Sequence, residues 1–179
     1  MRMHVNSKKI AISGLLAAFS AILMILSSVI ESSTLFLIAG ASFTVGISIR
    51  EWGERYGVGY FVASTLLNLI IAPNKFYCIT YAAMGLYIVF SEWLWEKIAE
   101  NRYINYRRTF LWLGKYFIFN AMYVPCVLFL RDYLFTGRVQ TLGIVVVVLI
   151  GQVCLFVFDN AYRYFQSFIW GRVRIKLMK

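Results

Sequence analysis

The sequence has few of the residues from which metal and redox centres are built. It contains one histidine, His4, and three cysteines, no two of which form a C-x-x-C pair. A zinc site needs three or four such ligands, so we expect no metal site and no cofactor. The cysteines Cys78, Cys126 and Cys154 all fall in apolar segments, which predicts buried free thiols.

Motifs for nucleotide hydrolysis and for common hydrolases are also absent. The sequence contains no G-x-x-x-x-G-K-[ST], no H-E-x-x-H and no G-x-S-x-G. Glu31 and Asp159 lie at the ends of apolar segments, and no run of acidic residues suits a proton relay. Glu92 and Glu96 are four residues apart, which we interpret as a solvated helix face. We therefore predict that the chain is not an enzyme.

Proline and charged residues are scarce. There are two prolines and no linker-like tract, which predicts a single domain over residues 1–179. Hydrophobic residues make up 61% of the chain and charged residues 15%, whereas soluble domains have about 45–50% and about 25%. Because the apolar residues occur in long blocks, lipid is the expected solvent.

Six of these blocks are long enough to cross a membrane. An α-helix rises about 1.5 Å per residue, so a hydrocarbon core of about 30 Å needs roughly 20 residues. The blocks are residues 10–30, 32–49, 56–74, 76–95, 109–130 and 139–158. The sequence therefore predicts an all-α, polytopic membrane bundle of six transmembrane helices, followed by a basic cytoplasmic or interfacial C-terminal helix at residues 159–179.

The distribution of basic residues predicts the orientation. With the N-terminus in the cytoplasm, 15 of the 18 Lys and Arg lie on the cytoplasmic side, and Lys75, Arg131 and Arg138 are the exceptions. This agrees with the positive-inside rule and predicts a multi-pass plasma-membrane protein with both termini cytoplasmic. Since the basic residues separate the apolar blocks, the net charge of +10 indicates topology and contact with membrane lipid, not nucleic-acid binding.

Polar residues near the predicted outer face form a candidate site for a small solute. Asn68 and Asn120 are amides inside spans and need hydrogen-bond partners. Pro73 ends the third span and presents Asn74 and Lys75 at the surface. The candidate residues are Asn68, Asn74, Lys75, Tyr77, Tyr81, Asn120, Tyr123 and Arg131. The alternatives are interhelical hydrogen bonds for the amides, a tight turn with a snorkelling lysine, and an interfacial aromatic belt.

Small residues recur at four-residue spacing in the first span. Gly14 and Ala18 form one such pair, and Ala17 and Ala21 form another. Small residues on one helix face allow a second backbone to approach closely. The four residues therefore indicate either docking of a partner protein or packing within the chain's own bundle.

The opening Lys8-Lys9-Ile-Ala-Ile-Ser-Gly-Leu-Leu-Ala-Ala-Phe-Ser-Ala21 resembles the S components of energy-coupling-factor vitamin transporters. Their first helix typically follows a basic residue and bears A-x-x-x-A, which Ala17 and Ala21 match. The chain's size and six predicted spans agree. The resemblance implies that the chain binds a vitamin or cofactor precursor near the outer face. It also implies that the first helix docks on a transmembrane coupling subunit, and that ATPase subunits drive uptake.

The sequence departs from the known S components at the substrate site. It has no signature of the riboflavin, thiamine, biotin or folate members, so the resemblance names no substrate. Rod-shape-determining membrane proteins of similar size give the alternative function, a scaffold without a solute. A third hypothesis is a small membrane enzyme that acts on lipid.

Overall fold

The computed structural model describes residues 2–100, 107–129 and 141–172, and within these ranges the chain is helical apart from short connections at Ile30, Gly53 and residues 72–74, with no strand. Six α-helices follow one another in the order of the six predicted spans. They are α1 (Arg2–Val29), α2 (Thr34–Trp52), α3 (Glu54–Ile71), α4 (Lys75–Glu100), α5 (Arg107–Phe129) and α6 (Thr141–Tyr164). A 3-10 turn (Glu31–Ser33) links α1 to α2, and a π-helical segment (Phe165–Trp170) continues α6.

Five of the described helices are long and apolar enough to cross a membrane, which indicates a membrane-embedded protein. The helix that falls short is α3, which has 18 residues and begins with Glu54 and Arg55. These charges, together with Asn68 near its other end, lower its mean hydropathy. The six-span count and the cytoplasmic position of both termini remain predictions.

Backbone chemistry explains where α3 departs from the predicted span of residues 56–74. The helix ends at Ile71, and Ala72 is extended, with φ of −64° and ψ of 125°, because a residue before proline avoids the helical region. At its start, α3 follows α2 across Gly53 alone. Gly53 has φ of +89°, a conformation that glycine adopts without steric cost.

The chain divides into two compact units, one ending at Glu96 and the other beginning at Lys97. Each unit is described by itself below. The predicted single domain over residues 1–179 therefore remains a prediction.

Helix α2 lies at the centre of the first unit. Every residue from Ala41 to Ile49 is buried, and since this run covers more than two turns, this part of the helix is enclosed on all faces. Gly57 of α3 packs against it so closely that a Cβ atom there would lie 2.8 Å from the Cα of Ile49. This is the small-residue contact by which membrane helices pack.

In the second unit, α5 and α6 pack as an antiparallel pair. The rings of Trp112 and Phe156 stack with centroids 5.8 Å apart. Nearer the other end of the pair, the Tyr123 hydroxyl donates to the Val147 carbonyl at 3.0 Å. Residues later in α5 thus contact residues earlier in α6, which is the order of an antiparallel pair. Pro125 lies inside α5, which continues as helix to Phe129.

The three cysteines are free, but they are not all buried as predicted. Cys78 is buried, whereas Cys126 on α5 and Cys154 on α6 are exposed. The prediction was wrong for these two because an apolar residue of a membrane helix can face lipid, so it needs no burial within the protein.

Candidate functional site

A group of buried polar side chains lies inside the first unit. Each is less than a tenth exposed, and together they come from all four helices α1 to α4. This buried polar cluster consists of Ser20, Thr44, Tyr60, Ser64, Asn68 and Tyr81. Tyr81 and Asn68 are fully enclosed, at 0% exposure. None of the six is ionised near neutral pH, so the cluster is polar without net charge.

Hydrogen bonds connect the members of the cluster across the helices. The Tyr81 hydroxyl lies 2.8 Å from Ser64 Oγ and also interacts with the hydroxyls of Ser20 and Thr44. Tyr60 donates to Thr44 Oγ1 at 3.0 Å. These bonds pair polar groups that would have no partner in hydrocarbon. The cluster therefore joins all four helices, α1, α2, α3 and α4, around Tyr81.

The side-chain amide of Asn68 is only half satisfied. Its Nδ2 donates to Ser20 Oγ at 3.1 Å, while Oδ1 has no hydrogen-bond partner among the described residues. Turning the amide over would exchange the two ends and leave Nδ2 unpaired instead. One strong hydrogen-bonding group therefore remains unpaired inside the unit, at a cost of roughly 1–3 kcal/mol.

Two members of the cluster, Asn68 and Tyr81, lie toward one end of the first unit, which we call the hairpin end, whereas Thr44 lies at the middle of α2 and Tyr60 in the opposite half of α3. Here α1 connects to α2, and α3 connects to α4. Asn68 lies about 5 Å along the helix from Ile71, the last residue of α3, and Tyr81 about 9 Å from Lys75, the first residue of α4. A group that entered from the hairpin end would have one to two helical turns to travel.

Two of the predicted surface residues form the turn at the hairpin end. Asn74 Oδ1 accepts from the backbone N–H of Phe76 at 3.0 Å, in the manner of a helix N-cap. The Lys75 ammonium donates to the carbonyls of Leu69 at 2.5 Å and Ala72 at 3.3 Å. It thereby caps the C-terminus of α3, where cations are favoured. Tyr77 follows on α4 and is partly exposed.

The remaining predicted site residues do not belong to the first unit. The side-chain amides of Asn120 on α5 and Gln152 on α6 form two hydrogen bonds with each other. Gln152 Nε2 donates to Asn120 Oδ1 at 2.8 Å, and Asn120 Nδ2 donates to Gln152 Oε1 at 3.5 Å. Tyr123 donates to Val147, as described above. Both therefore have interhelical partners within the second unit. Arg131 lies outside the described residues.

A charged group in the second unit was missed at the sequence level. The Lys115 ammonium is 2.5 Å from Asp159 Oδ1, and Arg163 Nε is 3.2 Å from Oδ2 of the same carboxylate. Asp159 is 1% exposed, and all three residues lie within candidate spans. The available signal was antiparallel pairing, since Lys115 lies in the first half of α5 and Asp159 in the second half of α6.

Glu92 differs from its prediction as part of a solvated face. It is buried, and its Oε1 accepts from Arg50 Nη2 of α2 at 2.6 Å and from Nε at 3.0 Å. The interpretation was wrong because the first unit places a cation opposite it. Among the described residues, no group of three or more His, Cys, Asp or Glu is arranged to hold a metal ion.

The small residues of α1 face in different directions. Gly14 and Ala18 are exposed, and a Cβ atom on Gly14 would meet nothing within 4 Å. Ala21 is buried in the first unit, and Ala17 is intermediate. Only the Gly14 and Ala18 pair is therefore open to another helix.

The cluster can bind but offers little for catalysis. Its groups are hydroxyls and one amide, which exchange hydrogen bonds without transferring protons near neutral pH. Sequence reasoning found Asn68 and Tyr81, but it missed Ser20, Thr44, Tyr60 and Ser64, which resemble ordinary residues of apolar helices. Comparison of the chain with protein-family models, with curated proteins and with solved structures finds no match.

Proposed function

We propose that the chain is the solute-binding membrane subunit of an uptake system, of the S-component type, and that the buried polar cluster binds the solute. One observation supports this most directly. The Asn68 amide has an unpaired end within a cluster that is otherwise bonded across four helices. A bound solute that donates a hydrogen bond to Oδ1 would remove that penalty.

The chemistry of the cluster favours an uncharged, polar solute. Its side chains offer hydroxyl donors and acceptors and an amide oxygen, together with the flat rings of Tyr60 and Tyr81. No cation or carboxylate belongs to the cluster, and a buried ion without a counter-charge would be costly there. A vitamin or cofactor precursor that is neutral and rich in hydrogen-bonding groups fits this inventory.

The position of the cluster supports capture from outside the cell. The distribution of basic residues predicts that the hairpin end faces outward, and Asn68 and Tyr81 lie one to two turns below that end. A transmembrane coupling subunit and ATPase subunits would then supply the energy. We propose Gly14 and Ala18 as the contact with the coupling subunit, because these two small residues remain exposed.

Small-molecule mass spectrometry of the purified protein tests the proposal. The wild-type chain is expected to retain a polar compound that Asn68→Leu loses, since leucine has the same branching as asparagine but cannot accept a hydrogen bond. Thr65→Val is the matched control. Thr65 is also on α3 and has an unpaired hydroxyl, but it is not part of the cluster.

The outcome separates binding at the cluster from a general disturbance of α3 and from binding at a different place. Loss of the compound in both variants would mean that α3 is merely perturbed. Retention in Asn68→Leu would place the solute elsewhere. If the wild-type chain retains no compound and binds none from a panel of vitamins and precursors, solute capture is refuted.

The exposed pair Gly14 and Ala18 also favours a second candidate function, a membrane scaffold without a solute. Gly14→Leu with Ala18→Leu would block a close helix contact, yet the space around Gly14 leaves room for the new side chain within this chain. A transporter subunit would keep its solute and lose its coupling subunit. A scaffold would lose its partner in cells while the wild-type protein binds no solute.

A further inference from the structure

The C-terminal part of the second unit presents an exposed row of aromatic and basic side chains. The rings of Tyr164 and Phe168 stack at 5.3 Å between centroids. The Arg172 guanidinium lies 4.0 Å from the centroid of Phe168 and extends the row by one more turn. Tyr164 is 59% exposed and Phe168 44%. Beside the row, the Arg163 guanidinium lies over the Trp112 ring at 5.2 Å.

The opposite side of the same segment is buried. Tyr162, Gln166 and Trp170 are all less than a tenth exposed. The segment is therefore two-sided, and the aromatic and basic row lies on the exposed side. The backbone also changes here from α-helix to π-helix over Phe165–Trp170, a feature often found at functional sites.

Helix length places this row at the edge of the membrane. Helix α6 has 24 residues and the π-helical segment adds 6, which together rise about 45 Å against a hydrocarbon core of about 30 Å. The stretch from Thr141 to Phe158 is uncharged and alone rises about 27 Å. The segment beginning at Asp159 therefore projects into the headgroup region.

Among the described residues, the ion pairs of the segment contain more basic groups than carboxylates. One carboxylate, that of Asp159, contacts two cations, Lys115 and Arg163. In the described part of the chain, the partner of Arg172 is the Phe168 ring and not a carboxylate. Guanidinium groups bind phosphate oxygens in two-pronged hydrogen bonds, and exposed tyrosine and other aromatic rings are favoured at the membrane interface.

We propose that the row formed by Arg163, Tyr164, Phe168 and Arg172 is a binding site for anionic phospholipid. The Arg172 guanidinium contacts headgroup phosphate, and Arg163, whose Nε and Nη2 already contact Asp159 and Asn160, contributes its remaining Nη1 and its charge. The stacked rings lie at the boundary of headgroups and acyl chains. Lipid fits better than a protein partner because the row combines cations with rings at the depth where headgroups begin. The uncharged cluster of the first unit plays no part in this site.

Native mass spectrometry of the full chain, released from micelles with equal amounts of phosphatidylglycerol and phosphatidylcholine, tests the proposal. The wild-type protein is expected to retain phosphatidylglycerol in excess. Arg172→Gln should lower the ratio of the two bound lipids about fivefold, since each basic residue near an anionic surface contributes about that factor. Arg163→Gln with Arg172→Gln should lower the ratio about 25-fold.

The control removes the same charge elsewhere. Lys8→Gln with Arg55→Gln changes two exposed basic residues of the first unit and should lower the ratio clearly less than the double arginine variant does, because it reduces the general attraction to anionic lipid but leaves the row of rings and guanidinium groups intact. Arg172→Gln keeps the proposal testable if Arg163→Gln disturbs the ion pair with Asp159. An unchanged ratio in Arg172→Gln and in the double variant overturns the proposal. So does an equal fall in the control, or the loss of a copurifying protein without a change in bound lipid.

Discussion

Removing the carboxylate of Asp159 should destabilise the second unit strongly. In Asp159→Asn the Lys115 ammonium, which is 12% exposed, loses the negative charge that lies 2.5 Å away. Breaking a buried ion pair from one side costs about 3–5 kcal/mol, because the remaining charge stays buried without compensation. Lys115 can extend part of its flexible chain toward water, so we expect a loss of about 2–3 kcal/mol in the free energy of unfolding.

Replacing both partners separates the ion pair from simple packing. In Lys115→Met with Asp159→Leu no unpaired charge remains in the buried part, since the Arg163 side chain, which also loses Asp159, is 43% exposed, and apolar replacement of a buried pair is often neutral or stabilising. The double variant should therefore be more stable than Asp159→Asn by at least about 1 kcal/mol. Arg163→Gln is a milder comparison, since that side chain is 43% exposed and an exposed pair contributes about 0–1 kcal/mol.

Denaturation of the purified protein in mild detergent, followed by far-ultraviolet circular dichroism, measures these differences. The reasoning is refuted if Asp159→Asn changes the free energy of unfolding by less than about 0.5 kcal/mol. It is equally refuted if the double variant loses as much as Lys115→Met and Asp159→Leu lose together when each is made alone, because independent sites add in this way.

Two further predictions concern the packing of α2 against α3 and use the same measurement. Gly57→Ala should lower the free energy of unfolding by about 1–3 kcal/mol, since its Cβ would lie 2.8 Å from the Cα of Ile49. Gly59→Ala, which meets nothing within 4 Å, should be neutral or stabilising by up to ~1 kcal/mol, and equal losses would contradict the contact. Tyr60→Phe removes the donor to Thr44 and should cost about 1 kcal/mol; no loss would mean that this bond does not stabilise the bundle.

The helices were largely predictable from sequence because a membrane span has a simple physical signature. A long uncharged run must be helical in lipid, since its backbone groups have no other partners. The ends were less predictable. Polar residues continue a helix beyond the hydrocarbon, as in α4, which extends to Glu100. Local chemistry at Gly53 and Pro73 fixes the ends of α3 more closely than apolar length does.

The candidate site was predictable only in part. Asn68 stands out in the sequence as an amide inside an apolar run, but its partner Ser20 is 48 residues away. Identifying that partner requires the rotation of α1 against α3, which small hydroxyl residues do not reveal. Lys75 illustrates the opposite case. It stood out as a rare basic residue at the predicted outer face, and its position next to the carbonyls at the end of α3 follows from local geometry alone.

The unpaired end of Asn68 leads to a prediction in which stability and binding change differently. Asn68→Leu removes the unpaired Oδ1, which should raise the free energy of unfolding by roughly 1–3 kcal/mol. It also removes the hydrogen bond to Ser20, which should lower the free energy of unfolding by about 0.5–1.5 kcal/mol. Without solute, the free energy of unfolding should therefore fall by less than about 1 kcal/mol or rise. With solute at 100 times its dissociation constant, wild type should gain about 2.7 kcal/mol and the variant nothing.

Denaturation with and without the compound that copurifies with the wild-type protein distinguishes this behaviour from a purely structural role. An amide whose role is to join α1 to α3 would cost stability when replaced, whether or not solute is present. A ligand-binding amide lowers the stability of the protein while its oxygen is unpaired, and the bound solute raises that stability. If Asn68→Leu loses more than about 2 kcal/mol without solute, or if the compound stabilises it as much as wild type, the amide is a structural link and the solute contacts other groups.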